Sequence, residues 1–101
     1  MIAEMDDEGF LVQPDMWTRG VAESIATAVL PGKLEDDHWK VIDYLRDYFS
    51  RYNTVPPLRM LCKGTGVDLP YLRKLFPCGL INGACKIAGL PRAILRGLLY
   101  P

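Results

Sequence analysis

The chain has 101 residues, half of them hydrophobic and 24% charged, a balance that fits one globular domain with one modest core and excludes a disordered chain. No apolar run approaches the length of a membrane span, and the first ten residues carry four acids and no base, which is not a leader pattern, so a cytoplasmic location is expected. The net charge of zero conceals an asymmetry, minus seven over residues 1–37 and plus seven over 38–101, which is compatible with internal compensation or with a basic face for an acidic partner.

In chain order, residues 2–5 and 10–12 lean apolar around Asp6-Asp7-Glu8-Gly9. An acidic turn closed by glycine predicts a short β-hairpin. Asp15, after Pro14, is placed to N-cap a helix in which Trp17, Val21, Ile25 and Val29 form one apolar stripe up to Pro31-Gly32. A second helix opens on Glu35-Asp36-Asp37, where acids suit the helix dipole. It buries Val41, Ile42, Leu45, Tyr48, Phe49 and Tyr52, carries Asp47 and Arg51 as an outward pair, and stops at Asn53 to Pro57. Residues 58–63 predict a short helix broken by Gly64-Thr65-Gly66. Asp68 caps another over 69–76, and Pro77 with Gly79 ends it. Residues 80–88 predict a last helix with Gly89 beyond its end. The expected fold is therefore mainly α: a small orthogonal bundle of about five helices over residues 1–91, with an N-terminal β-hairpin and a C-terminal arm over 92–101.

Three cysteines, an odd count, fit reduced thiols better than a secreted disulfide scaffold. Cys85 lies within the last helix beside Lys86, and reads either as a reactive thiol or as a small apolar residue at a helix contact. Cys78, between Pro77 and Gly79, lies at the mouth of that helix, where thiols tend to be exposed and acidified. Seven helical residues span ~10.5 Å, beyond the ~7 Å that a disulfide bridges, so a Cys78–Cys85 bond requires the turn to fold back. Cys62 reads as core packing. His38 is the one histidine. Without a second histidine or a Cys-x-x-Cys pair no metal site is expected, and no phosphate loop, nucleophile elbow or paired carboxylate points to an enzyme, a cofactor or a small-molecule substrate.

The pair of helices at 58–63 and 69–76 has helix-turn-helix proportions. As a DNA reader it would offer Arg59, Lys63, Tyr71, Arg73 and Lys74; as an ordinary bundle element it would simply place them on the surface. The arm holds Ile94, Leu95, Leu98 and Leu99 with Arg92 and Arg96 four apart, an amphipathic pattern with a cationic edge suited to folding back or to docking on a protein.

Several segments together resemble the DsrC and TusE proteins, small sulfur-trafficking proteins of which DsrC is also described as the gamma subunit of dissimilatory sulfite reductase. They are Asp7-Glu8-Gly9-Phe10-Leu11, Asp37-His38-Trp39-Lys40-Val41-Ile42, Leu45-Arg46-Asp47-Tyr48, Pro56-Pro57-Leu58-Arg59-Met60-Leu61, Tyr71-Leu72, and Leu75-Phe76-Pro77 through Gly83-Ala84-Cys85-Lys86-Ile87-Ala88-Gly89-Leu90-Pro91. The resemblance is collinear over residues 7–91 and implies a helical bundle with a hairpin and an arm. It also implies a penultimate arm cysteine that carries sulfur, joined in DsrC by an upstream cysteine that matches Cys85. Here the penultimate position is Tyr100, and residues 86–101 contain no cysteine. The resemblance therefore implies a paralogue that binds protein partners of sulfur metabolism, of the sulfite reductase or sulfurtransferase type. Cys85, and secondarily Cys78, is its redox or persulfide candidate, and regulation of sulfur genes through DNA is the alternative.

Overall fold

A computed structural model describes residues 4–7, 9–30 and 32–90. The hairpin expected at the N-terminus lies partly outside these residues. Within them there is no strand, only an isolated antiparallel bridge between Met5 and Leu11. The Asp6 N–H donates to Phe10 O at 2.8 Å, and the Val12 N–H to Glu4 O at 3.0 Å. The Asp6 carboxylate accepts the Phe10 amide at 2.9 Å, and Gly9 turns the chain at φ +85°. Phe10 and Leu11 are both buried, at 2% and 1% exposure. Two adjacent inward residues break the alternation that a half-buried strand needs, and Pro14 then starts a 3₁₀ turn over Pro14–Met16.

Helix α1 spans Arg19–Val29 and is capped by Thr18, not Asp15: the Thr18 hydroxyl accepts the Val21 amide at 3.1 Å. Trp17 thus precedes the helix, and the buried face is Ala22, Ile25 and Ala26. Helix α2, Asp36–Tyr52, buries Val41, Ile42 and Leu45 fully and ends on Asn53 in the left-handed region at φ 54°. Tyr52, expected inside, is 60% exposed and lies against Tyr48 with the rings tilted by 48°. The Asp47–Arg51 pair forms at 3.2 Å.

Helix α3, Leu58–Thr65, runs two residues further than expected. Its Gly64 is not a break; it is the place where the Tyr44 ring of α2 lies against the α3 backbone. Gly66 ends the helix at φ +75°. Helix α4, Leu69–Leu75, is capped by Asp68, whose carboxylate accepts the Tyr71 amide at 2.9 Å. The last helix is π-helical over Leu80–Cys85 and continues as an ordinary helical turn to Gly89. These five helices share one core, in which Val41, Ile42 and Leu45 of α2 and Ala84, Cys85, Ile87, Ala88 and Leu90 are each 0% exposed.

Candidate thiol site

Cys85 closes the π-helical turn and faces the core. Burial pushes its thiol up from the ordinary 9.0 to about 12, because a thiolate there would lose its hydration without a compensating charge. Lys86 does not offset this. Its ammonium lies over the Phe10 ring, 4.9 Å from the centroid, beside the N-terminal turn. In this fold Cys85 is a neutral, sealed thiol.

Cys78 is exposed. Its Sγ lies against Val29, donating to the carbonyl at 3.5 Å, and covers the Cα of Gly83, where an added Cβ would approach it to 3.1 Å. The turn at Cys78 therefore folds back onto the last helix. It does so at buried Gly83, not at Cys85. Cys62, partly buried, packs against the core. Among the described residues no group of His, Cys, Asp or Glu is placed to hold a metal ion.

The end of the last helix is closed by its own backbone and by two side chains from elsewhere. Gly89, at φ +74°, forms a left-handed cap: its N–H donates to Lys86 O at 3.1 Å, and the Leu90 N–H to Cys85 O at 3.2 Å. The next two carbonyls would be orphans of the helix terminus. Trp17 Nε1 donates to Ile87 O at 2.8 Å, and Arg46 Nη1 to Ala88 O at 3.1 Å. The Arg46 guanidinium also stacks over the Trp17 ring at 4.5 Å, a contact favoured by the ring's negative face. Burial holds the guanidinium pKa below its ordinary value. Trp17 and Gly89 fit so closely that a Cβ on Gly89 would overlap the indole.

His38 joins α2 to α4. The Glu35 amide donates to Nδ1 at 3.0 Å, Nε2 bonds Leu75 O at 2.9 Å, and the ring meets Phe76 edge-on at 5.2 Å. With a donor at Nδ1 and a carbonyl at Nε2, the ring is the neutral Nε2–H tautomer. Beside it the Tyr71 hydroxyl donates to Asp37, which also pairs with Lys40 at 3.6 Å. That hydrogen bond holds the Asp37 carboxyl below its ordinary range and raises the Tyr71 phenol.

Arg59, Lys63, Arg73 and Lys74 are exposed on α3 and α4. Tyr71 is also exposed, but its hydroxyl is engaged by Asp37. The helix that would read DNA has seven residues, with Leu72 and Leu75 turned into the core. No described helix is long and apolar enough to cross a membrane.

Residues 2–94 match the family model described as "DsrC like protein". The chain belongs to the DsrC family. It is 39% identical to the dissimilatory-type sulfite reductase subunit gamma of Nitratidesulfovibrio vulgaris, an alignment that covers 88% of this chain and 85% of that protein. It is 38% identical to the sulfurtransferase TusE homolog of Haemophilus influenzae, covering 88% and 87%. Among solved structures, a chain of dissimilatory sulfite reductase I superposes with a TM-score of 0.84 at 39% identity, covering 88% of this chain and 86% of that one. The oxidized gamma subunit, DsrC, of Archaeoglobus fulgidus superposes with a TM-score of 0.77 at 44% identity, covering 88% and 87%. These relatives bear sulfite reductase and sulfurtransferase names. They lend no support to a DNA-binding or regulatory role for α3 and α4.

Sequence reasoning missed Trp17 and Arg46. Arg46 appeared only inside a family-like segment and Trp17 only as a stripe residue. Their carbonyl partners lie 70 and 42 positions away, and no local pattern encodes such a contact.

Proposed function

We propose that this DsrC-family chain is a sulfur-relay protein that works by binding protein partners of sulfur metabolism, with Cys85 and Cys78 as its sulfur-handling thiols. The family match over residues 2–94 carries this reading, together with relatives named as a sulfite reductase subunit and a sulfurtransferase. Residues 1–91 form the domain on this reading, and 92–101 an arm without a thiol. Ile94, Leu95, Leu98 and Leu99, flanked by Arg92 and Arg96, are the arm residues that would dock on a partner.

Sulfur loading from a polysulfide is a displacement. A cysteine thiolate attacks a terminal sulfane sulfur, one S–S bond of the polysulfide breaks, and the shortened sulfide leaves with the electron pair. Cys78 is exposed and can react directly. Cys85 reacts only after its segment opens. The test is polysulfide treatment of the reduced protein followed by intact mass and peptide mapping, and gel-filtration binding to sulfite reductase and to a sulfurtransferase partner. Persulfide on Cys78 and slower persulfide on Cys85, with complexes that weaken when 93–101 are deleted, support the reading. No adduct on either thiol and no complex with either partner would overturn it.

A further inference from the structure

Tyr44, Tyr48 and Tyr52 recur every four residues on α2, which puts them on one face of that helix. Their rings form a ladder: Tyr44 and Tyr48 are stacked with centroids 6.4 Å apart, and Tyr48 and Tyr52 are tilted by 48° at 4.6 Å. The inner end of the ladder is seated, because the Tyr44 ring lies against the Gly64 backbone of α3. The outer end is bare. Tyr52 is 60% exposed, the highest value for a large hydrophobic residue among the described residues. Met60 stands one turn before Gly64, hence on the same face of α3, and is 44% exposed. Among the described residues none hydrogen-bonds the Tyr44, Tyr48 or Tyr52 hydroxyl, whereas that of Tyr71 is engaged by Asp37. The charge around the ladder has one sign. From Tyr48 to Val67 the sequence holds three bases, Arg51, Arg59 and Lys63, and no acid. Arg51 is matched by Asp47 at 3.2 Å. Arg59 and Lys63, exposed beside Met60 and Gly64, have no ion pair among the described residues.

We propose that the tyrosine ladder of α2 and the adjoining Met60, edged by Arg59 and Lys63, form a docking surface for an acidic segment of a partner protein that carries an apolar anchor. Tyrosines held against one another offer large contact area at little entropic cost, and their free hydroxyls add hydrogen bonds. The two unmatched cations select an acidic occupant and speed its encounter. The chain's own arm is the wrong occupant on charge, since Arg92 and Arg96 would meet Arg59 and Lys63. Nucleic acid fits less well: the rings of the ladder cover one another instead of standing open to bases, and two cations neutralise few phosphates. The inference rests on the reading that this chain works by binding protein partners, and adds to it where one partner sits and what chemistry it presents.

The test uses the full chain. A random peptide library displayed on phage is selected against the folded protein, and the enriched peptides are titrated by fluorescence anisotropy at low and high salt. These peptides should be acidic with a large apolar residue, and should move the Tyr48 and Tyr52 ring resonances. Tyr52→Ser and Met60→Ser, both at exposed positions, should each weaken them about tenfold, the scale of a central contact residue. Arg59→Glu with Lys63→Glu should weaken them at low salt and much less at high salt, while Arg73→Glu with Lys74→Glu on α4 changes affinity by no more than about twofold. Circular dichroism checks that each variant is folded. A selection that enriches nothing, peptides without acidic bias, or peptides indifferent to the substitutions on the face overturn the proposal. Salt-sensitive self-association that the same substitutions abolish assigns the face to a second copy, and comparable loss of binding to a fluorescent single-stranded oligonucleotide assigns it to nucleic acid; either result also overturns it. Binding to sulfite reductase and to a sulfurtransferase separates this inference from the reading beneath it. Full-strength complexes with the face variants sink the surface and leave the reading, whereas peptide binding at the face with no complex to either protein sinks the reading and leaves the surface standing.

Discussion

Three glycines separate two costs that are usually confounded, backbone conformation and lack of space. At Gly66, φ is +75° and nothing lies within 4 Å of an added Cβ. Gly66→Ala is therefore charged only for the left-handed conformation, about 1–2 kcal/mol. At Gly64 the backbone is helical, and the obstacle is the outer edge of the half-buried Tyr44 ring, with Cζ at 2.7 Å and Oη at 2.9 Å. That ring can swing outward, and alanine gains about 1 kcal/mol of helix propensity over glycine, so Gly64→Ala should change stability by no more than about 1 kcal/mol. Gly89 bears both costs: φ is +74°, and the Cβ would overlap the Trp17 indole and come within 3.1 Å of Leu11 Cδ2. The indole cannot swing freely, because its N–H is bonded to Ile87 O and Arg46 lies on its face. Adding about 1–3 kcal/mol for overpacking to the conformational term gives roughly 2–5 kcal/mol for Gly89→Ala, a large share of the ~5–15 kcal/mol that holds such a domain together. Urea unfolding monitored by circular dichroism measures all three, and the Trp17 indole N–H resonance should move in Gly89→Ala alone. A Gly89→Ala cost no larger than that of Gly66→Ala would refute the packing argument.

Three further outcomes follow from the same contacts. Cys85 stays neutral to about 12 in the fold but ionises near 9.0 when unfolded, so its contribution is intact below pH 9 and declines by about 1.4 kcal/mol per pH unit above it. The advantage of wild type over Cys85→Ala in urea unfolding should therefore shrink by roughly 2 kcal/mol between pH 8.5 and 10.5, and an unchanged difference would place the thiol in water. Asp37 is held low and Tyr71 high, chiefly by their mutual hydrogen bond. The stabilisation from Asp37 is present above the ordinary carboxylate range and lost as pH falls through the lowered value, while that from Tyr71 is complete below 10.0 and lost as pH rises through the raised one. Tyr71→Phe should shift the Asp37 carboxyl upward in an NMR titration. His38→Ala removes the acceptor for the Glu35 amide and the donor to Leu75 O; it should cost about 1–3 kcal/mol in urea unfolding, with His38→Gln restoring part of the loss.

Helix α2 was legible because three local signals agreed: acids at its start, an apolar stripe through Val41, Ile42 and Leu45, and a stop at Asn53 before two prolines. Tyr52 continues that stripe in sequence but lies beyond the reach of the core, so periodicity alone overstated the buried face. At α1 the competing caps Asp15 and Thr18 stand three residues apart, and Pro14 decided between them by fixing a 3₁₀ turn first. Gly64 looked like a breaker because glycine is one in isolation; only the Tyr44 ring arriving from α2 gives it a packing role. The N-terminal turn was recognisable by its acids and glycine, but the inward side chains of two consecutive residues, Phe10 and Leu11, do not fit a ladder. The thiol site was legible in position and not in state. Sequence spacing put Cys85 in the last helix, but its burial follows from packing into a core built by residues distant in the chain.

That state constrains any chemistry assigned to Cys85. A neutral thiol inside the core is a poor nucleophile whatever reagent is offered, since the thiolate is the reacting form. Opening therefore has to do two things, admit the reagent and rehydrate the sulfur so that ionisation near neutral pH becomes affordable in free energy. Withdrawing residues 80–90 from the core would do both, at the cost of exposing Ala84, Ile87, Ala88 and Leu90, each 0% exposed in the fold. It would also disturb Cys78, whose Sγ rests on Gly83 and reaches Val29 O. On the proposed reading the two thiols are thus linked through one segment: a modification on Cys78 too bulky to rest on Gly83 would loosen the packing beside Cys85.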